Sequence, residues 1–364
     1  MIISAKVLAW DIGGANIKAA YAESDGRVLT RLSTASRYLP LWRVGREALE
    51  PALRELRLEV AGQEPLDSVA VTMTAELSDV YFRKREGVNH VLDCVERVHA
   101  RTLILVLAYD GSLRTVSEAR LKPLEVAAAN WPATGWLASR FVKTCVVVDV
   151  GSTTTSIIPV VDGRVAARGR TDFEKLSCGE LIYTGALRTN LAAILRRAHL
   201  RGQEARLSSE LFALSADIHL ALGNISEQDY TTETADGRGR SLHEALARLA
   251  RLVCADDEML TSEEIEGLAQ EAYEAQLEEI RSGLEQVARD QGFSKETTPV
   301  VVAGLGRSFL AERAACLSGF RTILDLDELI GLAGAAKLAP AVGLSLMALT
   351  RLTGTELRWM RSSR

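Results

Sequence analysis

Two aspartates stand at the ends of apolar runs, and each is followed by a turn of small residues. The first run is Val7-Leu-Ala-Trp-Asp11-Ile-Gly13-Gly14-Ala15-Asn16, and the second is Val146-Val-Val-Asp149-Val-Gly151-Ser152-Thr153-Thr154. A glycine turn after a buried strand lets backbone N–H groups approach an anion with no side chain in the way. An aspartate at the strand end can hold Mg²⁺, usually through water, because Mg²⁺ gives up its hydration reluctantly. Both segments then run through a second strand into a D-G turn, Asp25-Gly26 in one and Asp162-Gly163 in the other. A D-G pair between apolar runs signals a hairpin. Loop and turn aspartates are 14 residues apart in the first copy (25 − 11) and 13 in the second (162 − 149). One such segment is explained by an aspartate that caps its own turn. Two of them imply duplicated domains, each with a phosphate loop.

A third glycine loop follows late in the chain. Pro299 to Ala303 reads as a strand, Gly304-Leu305-Gly306 as a turn, and Arg307 to Leu317 as a helix. Strand, glycine turn and helix form a phosphate- or nucleotide-facing arrangement. Near the loops, Asn16 either contacts phosphate or closes a turn, and Lys18 supplies a positive charge. Asn130, before Trp131 and Pro132, is divided between a substrate contact and a turn. Arg188 is divided between a phosphate contact and an ordinary surface position.

The elements that hold these residues follow from pattern. Strands are expected at Ser68–Thr74, Thr102–Tyr109 and Thr322–Leu326. Residues from about 174 to 295 read as a mostly helical insertion, with Thr261-x-x-Glu264 as a capping box. A polar stretch of 19 residues, 223–241, interrupts that block. Its length and its Asp236-Gly237-Arg238 core fit either a closing lid that presents charge to substrate or a plain connection. The expected domains are 1–143 and 144–332, with a C-terminal segment 333–364 completing the first.

Composition sets outer bounds. The chain has 364 residues, 47% apolar and 25% charged, with a formal charge of −5. That is ordinary for a globular protein and carries no general field for nucleic acid or an anionic membrane. Five widely spaced cysteines without a C-x-x-C fit neither a disulfide framework nor a zinc knuckle. No signal peptide or membrane span is visible, so a cytoplasmic location is expected. No feature specifies an oligomeric state.

The loops at 11–14 and 149–152 and the adenosine-type loop at 303–306 resemble those of the actin-like ATPase superfamily. Sugar and acetate kinases, heat-shock ATPases and the hydantoinase/oxoprolinase group belong to it. The resemblance implies an α/β fold: two duplicated actin-like (ribonuclease H-like) domains around a central cleft, with a helical insertion in the second. It implies phosphate held by Gly13, Gly14, Asn16, Lys18, Gly151, Ser152, Thr153, Thr154, Gly304 and Gly306, and Mg²⁺ on Asp11 and Asp149. In many kinases of the superfamily the first loop continues with Thr or Ser. Here the residue is Ala15, which argues against ordinary γ-phosphoryl transfer.

A narrower resemblance rests on WDIGGANIKAA, VTMTAELSDVYFRKREGV, AAANWPATGWLA, TDFEKLSCGELIYTGALRTN and YTTETADGRGRS. These blocks are similar to a small family linked to the tetrahydromethanopterin one-carbon pathway. Its archaeal members are implied to make methanofuran. They join an aminomethylfuran methyl diphosphate to the phenol oxygen of a tyramine-type acceptor, with release of diphosphate. The resemblance implies a transferase whose partners are a diphosphate donor and a phenolic acceptor, with no γ-phosphate to handle. Glu76, Asp79, Asp217 and His219 are the candidates for taking the phenol proton, and Asn130, Arg188, Asp236 and Arg238 for contacting substrate. The alternatives are an ATP-dependent kinase or hydantoinase-type hydrolase, with ATP or ADP as occupant, and a non-catalytic nucleotide sensor.

Overall fold

The computed structural model describes residues 4–355. The first sheet contains β1 (Ala5–Ile12), β2 (Asn16–Ser24), β3 (Leu29–Tyr38), β4 (Ser68–Met73), β5 (Leu103–Leu107) and β6 (Leu113–Thr115). Their order is β3-β2-β1-β4-β5-β6. β1 is antiparallel to β2 and parallel to β4, and β4 is parallel to β5. Parallel strands are buried on both faces, which accounts for the unbroken apolar runs. On one face Leu8, Trp10, Ile12, Val69 and Val71 join a core with the helices Leu49–Ala61 and Lys84–Val98. The intervening residues Val7, Ala9, Ala20 and Ala70 point the opposite way and are fully buried. The helix Ala339–Thr353 packs on β1, β2, β4 and the helix Trp131–Ser139. Gly343 permits that approach: a β-carbon there would lie 2.3 Å from the Ala133 carbonyl oxygen.

The remaining strands are β7 (Cys145–Val150), β8 (Thr155–Val161), β9 (Arg164–Val165), β10 (Leu181–Ile182), β11 (Arg197–Leu200), β12 (Gln203–Arg206), β13 (Val300–Gly304) and β14 (Ile323–Asp325). A second sheet runs β10-β8-β7-β13-β14, with β9 paired to β8. The repeat seen in the sequence has a structural counterpart. Gly13 N–H donates to the Asn16 carbonyl at 2.9 Å, and Gly151 N–H donates to the Thr154 carbonyl at 2.9 Å. The helix Ser262–Gln291 is opened by the Thr261/Glu264 capping box and closed by Gly292 at φ 67°. Its buried face packs on the helices Ser215–Ala221 and Leu242–Ala250.

The chain divides into two units at places other than 143/144. One unit holds the residues up to Val147, Ile158–Ser177 and Leu324 onward, and the other holds Val148–Ile157 and Cys178–Ile323. Ile158 and Val165 pack against Gly135, where a β-carbon would lie 2.8 Å from each. This contact draws the β8–β9 hairpin into the first unit. Of the expected C-terminal segment, residues 356–364 lie outside the described residues. The insertion is also less helical than expected, because β11 and β12 form a hairpin turned by Arg201 at φ 52° and Gly202 at φ 74°. Arg-Gly is not one of the strong hairpin dipeptides, so the sequence carried no cue. Among the described residues no helix is long and apolar enough to cross a membrane.

Candidate active site

Asp11 closes β1, and the antiparallel register sets it opposite Lys18 on β2. The Lys18 ammonium lies 3.6 Å from the buried Asp11 carboxylate. Asn130, the residue before the helix Trp131–Ser139, donates to Asp11 from 3.4 Å. Both contacts are long, so the carboxylate is accompanied but not saturated. Burial pushes the Asp11 carboxyl up, and the Lys18 charge opposes it. Gly13 is needed at its turn, since a β-carbon would lie 2.9 Å from the Asn16 carbonyl. Asn16 gives its main-chain carbonyl to this turn. Ala15 is likewise held through its carbonyl, which accepts from Leu39 N–H at 2.8 Å.

β4 runs parallel to β1 and ends beside it, where Thr74 N–H donates to the Ile12 carbonyl at 2.9 Å. Two residues on lies Glu76, which is 1% exposed. Neither of its carboxylate oxygens has a partner at full hydrogen-bond geometry: its own N–H and that of Ala128 lie close enough to pull its pKa down, and the nearest cation, Lys84, is 4.0 Å away. Lys84 itself is drawn to Asp172 at 2.9 Å. Burial pushes the Glu76 carboxyl up to about 7, with Lys84 opposing. A buried polar group without a well-placed partner is costly, so its presence here calls for a use. Two local features create the burial. Gly87 lets the helix Lys84–Val98 rest on Glu76, since a β-carbon there would meet the Glu76 α-carbon at 2.5 Å. Ala128, in the segment leading to Asn130, adopts φ 52°, a conformation L-residues occupy at a cost of roughly 1–2 kcal/mol.

The second loop, in the other unit, has different surroundings. Gly151 and Ser152 carbonyls accept from Ala186, Leu187 and Arg188 N–H groups at 2.9 to 3.0 Å. Gly185 is pressed against the loop, where a β-carbon would lie 2.7 Å from Thr153 N. A buried network fixes that segment. Gln276 donates to Thr184 Oγ1 and the Gly185 carbonyl, both at 2.8 Å, and Ser215 Oγ also donates to the Gly185 carbonyl. Thr189 Oγ1 accepts from Gly185 N–H at 3.0 Å. The Arg188 guanidinium donates to Thr153 Oγ1 at 3.3 Å, so Arg188 belongs to this loop and not to the open surface. Ser152 Oγ is buried without a partner. Gly304 closes the same cluster at φ 86°, with its β-position 2.5 Å from Asp149 Oδ1, and Gly306 N–H donates to the Val150 carbonyl at 3.0 Å.

Three expected site residues, Asp217, Asp236 and His219, are committed elsewhere. Asp217 is fully buried and pairs with the equally buried Arg248 at 2.8 Å, while accepting from Tyr230 OH and Leu214 N–H. An ion pair so enclosed, with neither side chain exposed, holds the fold and is closed to a substrate. Asp236 is taken by Arg248 at 3.2 Å, and Arg238 is exposed with only a 3.8 Å contact to Asp236. His219 lies buried between Tyr273 and Phe309 with hydrogen bonds to Gln276 and Asn224, and burial pulls it down to about 3. Asp79 is exposed. The stretch 223–241 is therefore not an open loop. Ile225, Tyr230 and Thr232 are buried within it, and the Gly239 carbonyl accepts from Arg248 at 3.0 Å. The polar composition that suggests a hinge instead carries the chain to Arg248.

Comparison with known proteins gives this geometry its context. Residues 67–345 match the hydantoinase/oxoprolinase family. The chain belongs to that family. Two relatives within this hydantoinase/oxoprolinase chain's range of similarity bear the name (4-{4-[2-(gamma-L-glutamylamino)ethyl]phenoxymethyl}furan-2-yl)methanamine synthase. The one from Methanocaldococcus jannaschii is 38% identical over 84% of this chain and 88% of its own. The one from Methanococcus vannielii is 36% identical over 52% of this chain and 84% of its own. Among solved structures, nucleotide-free acetone carboxylase superposes with a TM-score of 0.56 over 94% of this chain and 70% of its own, at 9% identity. That likeness concerns fold alone, and it agrees with the α/β fold with duplicated actin-like loops described above.

In this hydantoinase/oxoprolinase-family chain the donor set decides how Mg²⁺ could be held. Among the described residues no three His, Cys, Asp or Glu side chains gather into a metal cage. Asp11 nevertheless offers a carboxylate whose neighbours stand off at 3.4 and 3.6 Å. Single carboxylates at strand ends fit a Mg²⁺ that keeps most of its water and shares substrate phosphate. They do not fit a structural, fully protein-ligated ion.

Proposed function

We propose that this protein is a transferase of methanofuran-type cofactor synthesis. It joins an aminomethylfuran methyl group, carried as its diphosphate, to the phenol oxygen of a tyramine-type acceptor. The observation that carries this reading is the 38% identity, over most of both chains, to a synthase whose name contains that phenoxymethyl-furan ether. Site chemistry supports it. The carbon–oxygen bond to diphosphate breaks with both electrons leaving on the diphosphate, and the electron-rich furan stabilises the cation that remains. The phenol oxygen forms the new bond and gives up its proton.

Each step has residues suited to it. In the first unit Lys18 supplies positive charge and the Gly14 N–H, which no turn hydrogen bond uses, is a donor for phosphate oxygens; in the second unit the Ser152 hydroxyl is a donor of the same kind. Asp11 would hold Mg²⁺, which when bound adds charge stabilisation to the leaving diphosphate, and Asp149 offers a carboxylate of the same kind in its own unit. Glu76 takes the phenol proton. Its carboxyl, pushed up to about 7, is ionised enough to accept a proton and basic enough to hold it at neutral pH. Ala15 places a methyl where kinases need a hydroxyl, consistent with a reaction that handles no γ-phosphate.

The test is to incubate the protein with an aminomethylfuran methyl diphosphate, Mg²⁺ and a tyramine-type phenol. Aryl ether is followed by mass spectrometry and diphosphate by a coupled assay. The reading expects both products in equal amounts. Hydrolysis of ATP without ether, or no ether with any phenol, would contradict it.

A further inference from the structure

The first unit contains a cavity of about 770 Å³. That is the size of a small-molecule site. Three rings line it: Tyr109, Trp131 and Trp136. Four cations line it as well, Arg140, Lys143, Arg164 and Arg170, against two carboxylates, Asp110 and Asp162. Asp110 is already paired with Arg114 at 3.0 Å. Lys143, Arg164 and Arg170 make no ion pair with any described residue, and Arg170 rests over the Tyr109 ring at 5.6 Å. A walled space with aromatic sides and unpaired cations suits a ligand that combines a ring with carboxylates.

The cavity has a direction. Trp131 opens the helix Trp131–Ser139, directly after Asn130, whose amide donates to Asp11. Arg140 stands at the other end of that helix, about 13 Å along its axis at ~1.5 Å per residue. There it donates to the Gly163 carbonyl at 3.3 Å, and Lys143 packs on Gly163 with Arg164 next in the chain. The Trp131 end therefore borders the Asp11 cluster, while Arg140, lying over the Trp136 ring at 5.0 Å, marks the other end one helix length away, with Lys143 and Arg164 beside it. An extended arylethylamine bearing a γ-linked glutamyl group spans such a distance with its phenol at one end and its carboxylate at the other. At the Trp131 end the Nε1 is buried without a hydrogen-bond partner, and the Lys175 ammonium lies over the same ring at 3.9 Å.

We infer that this cavity is the acceptor site and that Lys143 and Arg164 select phenols carrying a carboxylate tail over bare tyramine. The inference rests on the transferase reading above. Its test is direct binding without turnover. Tryptophan fluorescence and calorimetry would be run with γ-glutamyl-tyramine, tyramine and ADP on the wild-type protein and on Lys143→Ala/Arg164→Ala. The residues are exposed, so the double variant should fold, and its circular dichroism and Tm verify this. Wild-type protein is expected to bind γ-glutamyl-tyramine at least about tenfold more tightly than tyramine, since the charge-assisted contacts are roughly that strong. The double variant should lose that advantage and keep its affinity for tyramine. Equal loss for both phenols, unchanged binding of both, or a variant effect confined to ADP would overturn the assignment. If the wild type makes no ether but its binding of γ-glutamyl-tyramine falls only in the variant, the transferase reading fails and the acceptor site stands.

Discussion

The Asp11 loop and the Asp149 loop close with the same turn hydrogen bond, but they are embedded in opposite chemistry. Around Asp11 the groups are charged or polar and loosely partnered: Lys18 at 3.6 Å, Asn130 at 3.4 Å, and buried Glu76, whose carboxylate has only nearby main-chain N–H groups and Lys84 at 4.0 Å. Around the second loop the groups that fix Gly185 are neutral and closely matched, with Gln276, Thr184, Thr189 and Ser215 joined at 2.8 to 3.0 Å. The duplicated backbone motif thus serves two purposes. On the proposed reading one copy keeps charge available for reaction, and the other is a cradle of dipoles. The two units repeat the contrast in their buried carboxylates. Glu76 has only weak company, main-chain N–H groups and Lys84 at 4.0 Å, whereas Asp217 has Arg248 at 2.8 Å, Tyr230 and the Leu214 N–H.

The comparison breaks first at the aspartates. Asp11→Asn and Asp149→Asn should each reduce turnover at least about a hundredfold while leaving circular dichroism unchanged, because either removes a full charge from the phosphate site. Near-wild-type turnover in either would remove the phosphate-loop reading. The next largest effect is on stability. Arg248→Ala leaves Asp217 buried and uncompensated, at a cost of roughly 3–5 kcal/mol. Urea unfolding would check this, and a loss below about 1 kcal/mol would place the pair outside the core.

Glu76 should respond in the opposite direction. Its folded-state carboxyl, at about 7, lies above the ordinary 4.5, so the folded protein binds this proton more tightly than the unfolded chain does. Stability from this group is full below pH 4.5 and falls as pH rises through 7. Glu76→Gln removes that penalty. It should be more stable than wild type at pH 8 by up to roughly 3 kcal/mol, at ~1.4 kcal/mol per unit, and similar to wild type at pH 4. Destabilisation at pH 8 would mean that the carboxylate has a partner. The smallest effect is expected from Gln276→Leu. It removes the donor to Gly185 and should raise the KM for the diphosphate donor about tenfold while leaving kcat nearly unchanged. A change confined to kcat would contradict a cradle that only binds.

Much of this was legible in the residues themselves. The two loops, their D-G turns and the Thr261 cap depend on short-range geometry that particular residue types dictate, so spacing alone locates them. Glu76 could be named a candidate but not preferred over Asp217, because both stand beside apolar residues. What separates them is the long-range pairing with Arg248. Gln276 was missed although a signal existed: it continues the buried stripe Ala272–Gln276–Ile280, a polar residue on the inward face of a helix. Gly87 carried a similar signal as a glycine inside a helix, where it costs about 1 kcal/mol unless close packing requires it. The Ala128 conformation and the transfer of Ile158–Ser177 to the first unit had none, because each follows from contacts between distant segments.

The central claim is that Glu76 accepts the phenol proton, and the pH dependence of kcat/KM for ether formation tests it most directly. Wild-type activity should rise with pH and level off with an apparent pKa near 7, the value to which burial pushes this carboxyl. Glu76→Gln should form ether about a hundredfold more slowly with that inflection gone. It should still release diphosphate as water captures the furfuryl cation, since ionisation of the donor needs no base. A Glu76→Gln protein that keeps both the rate and the inflection of wild type would contradict the account.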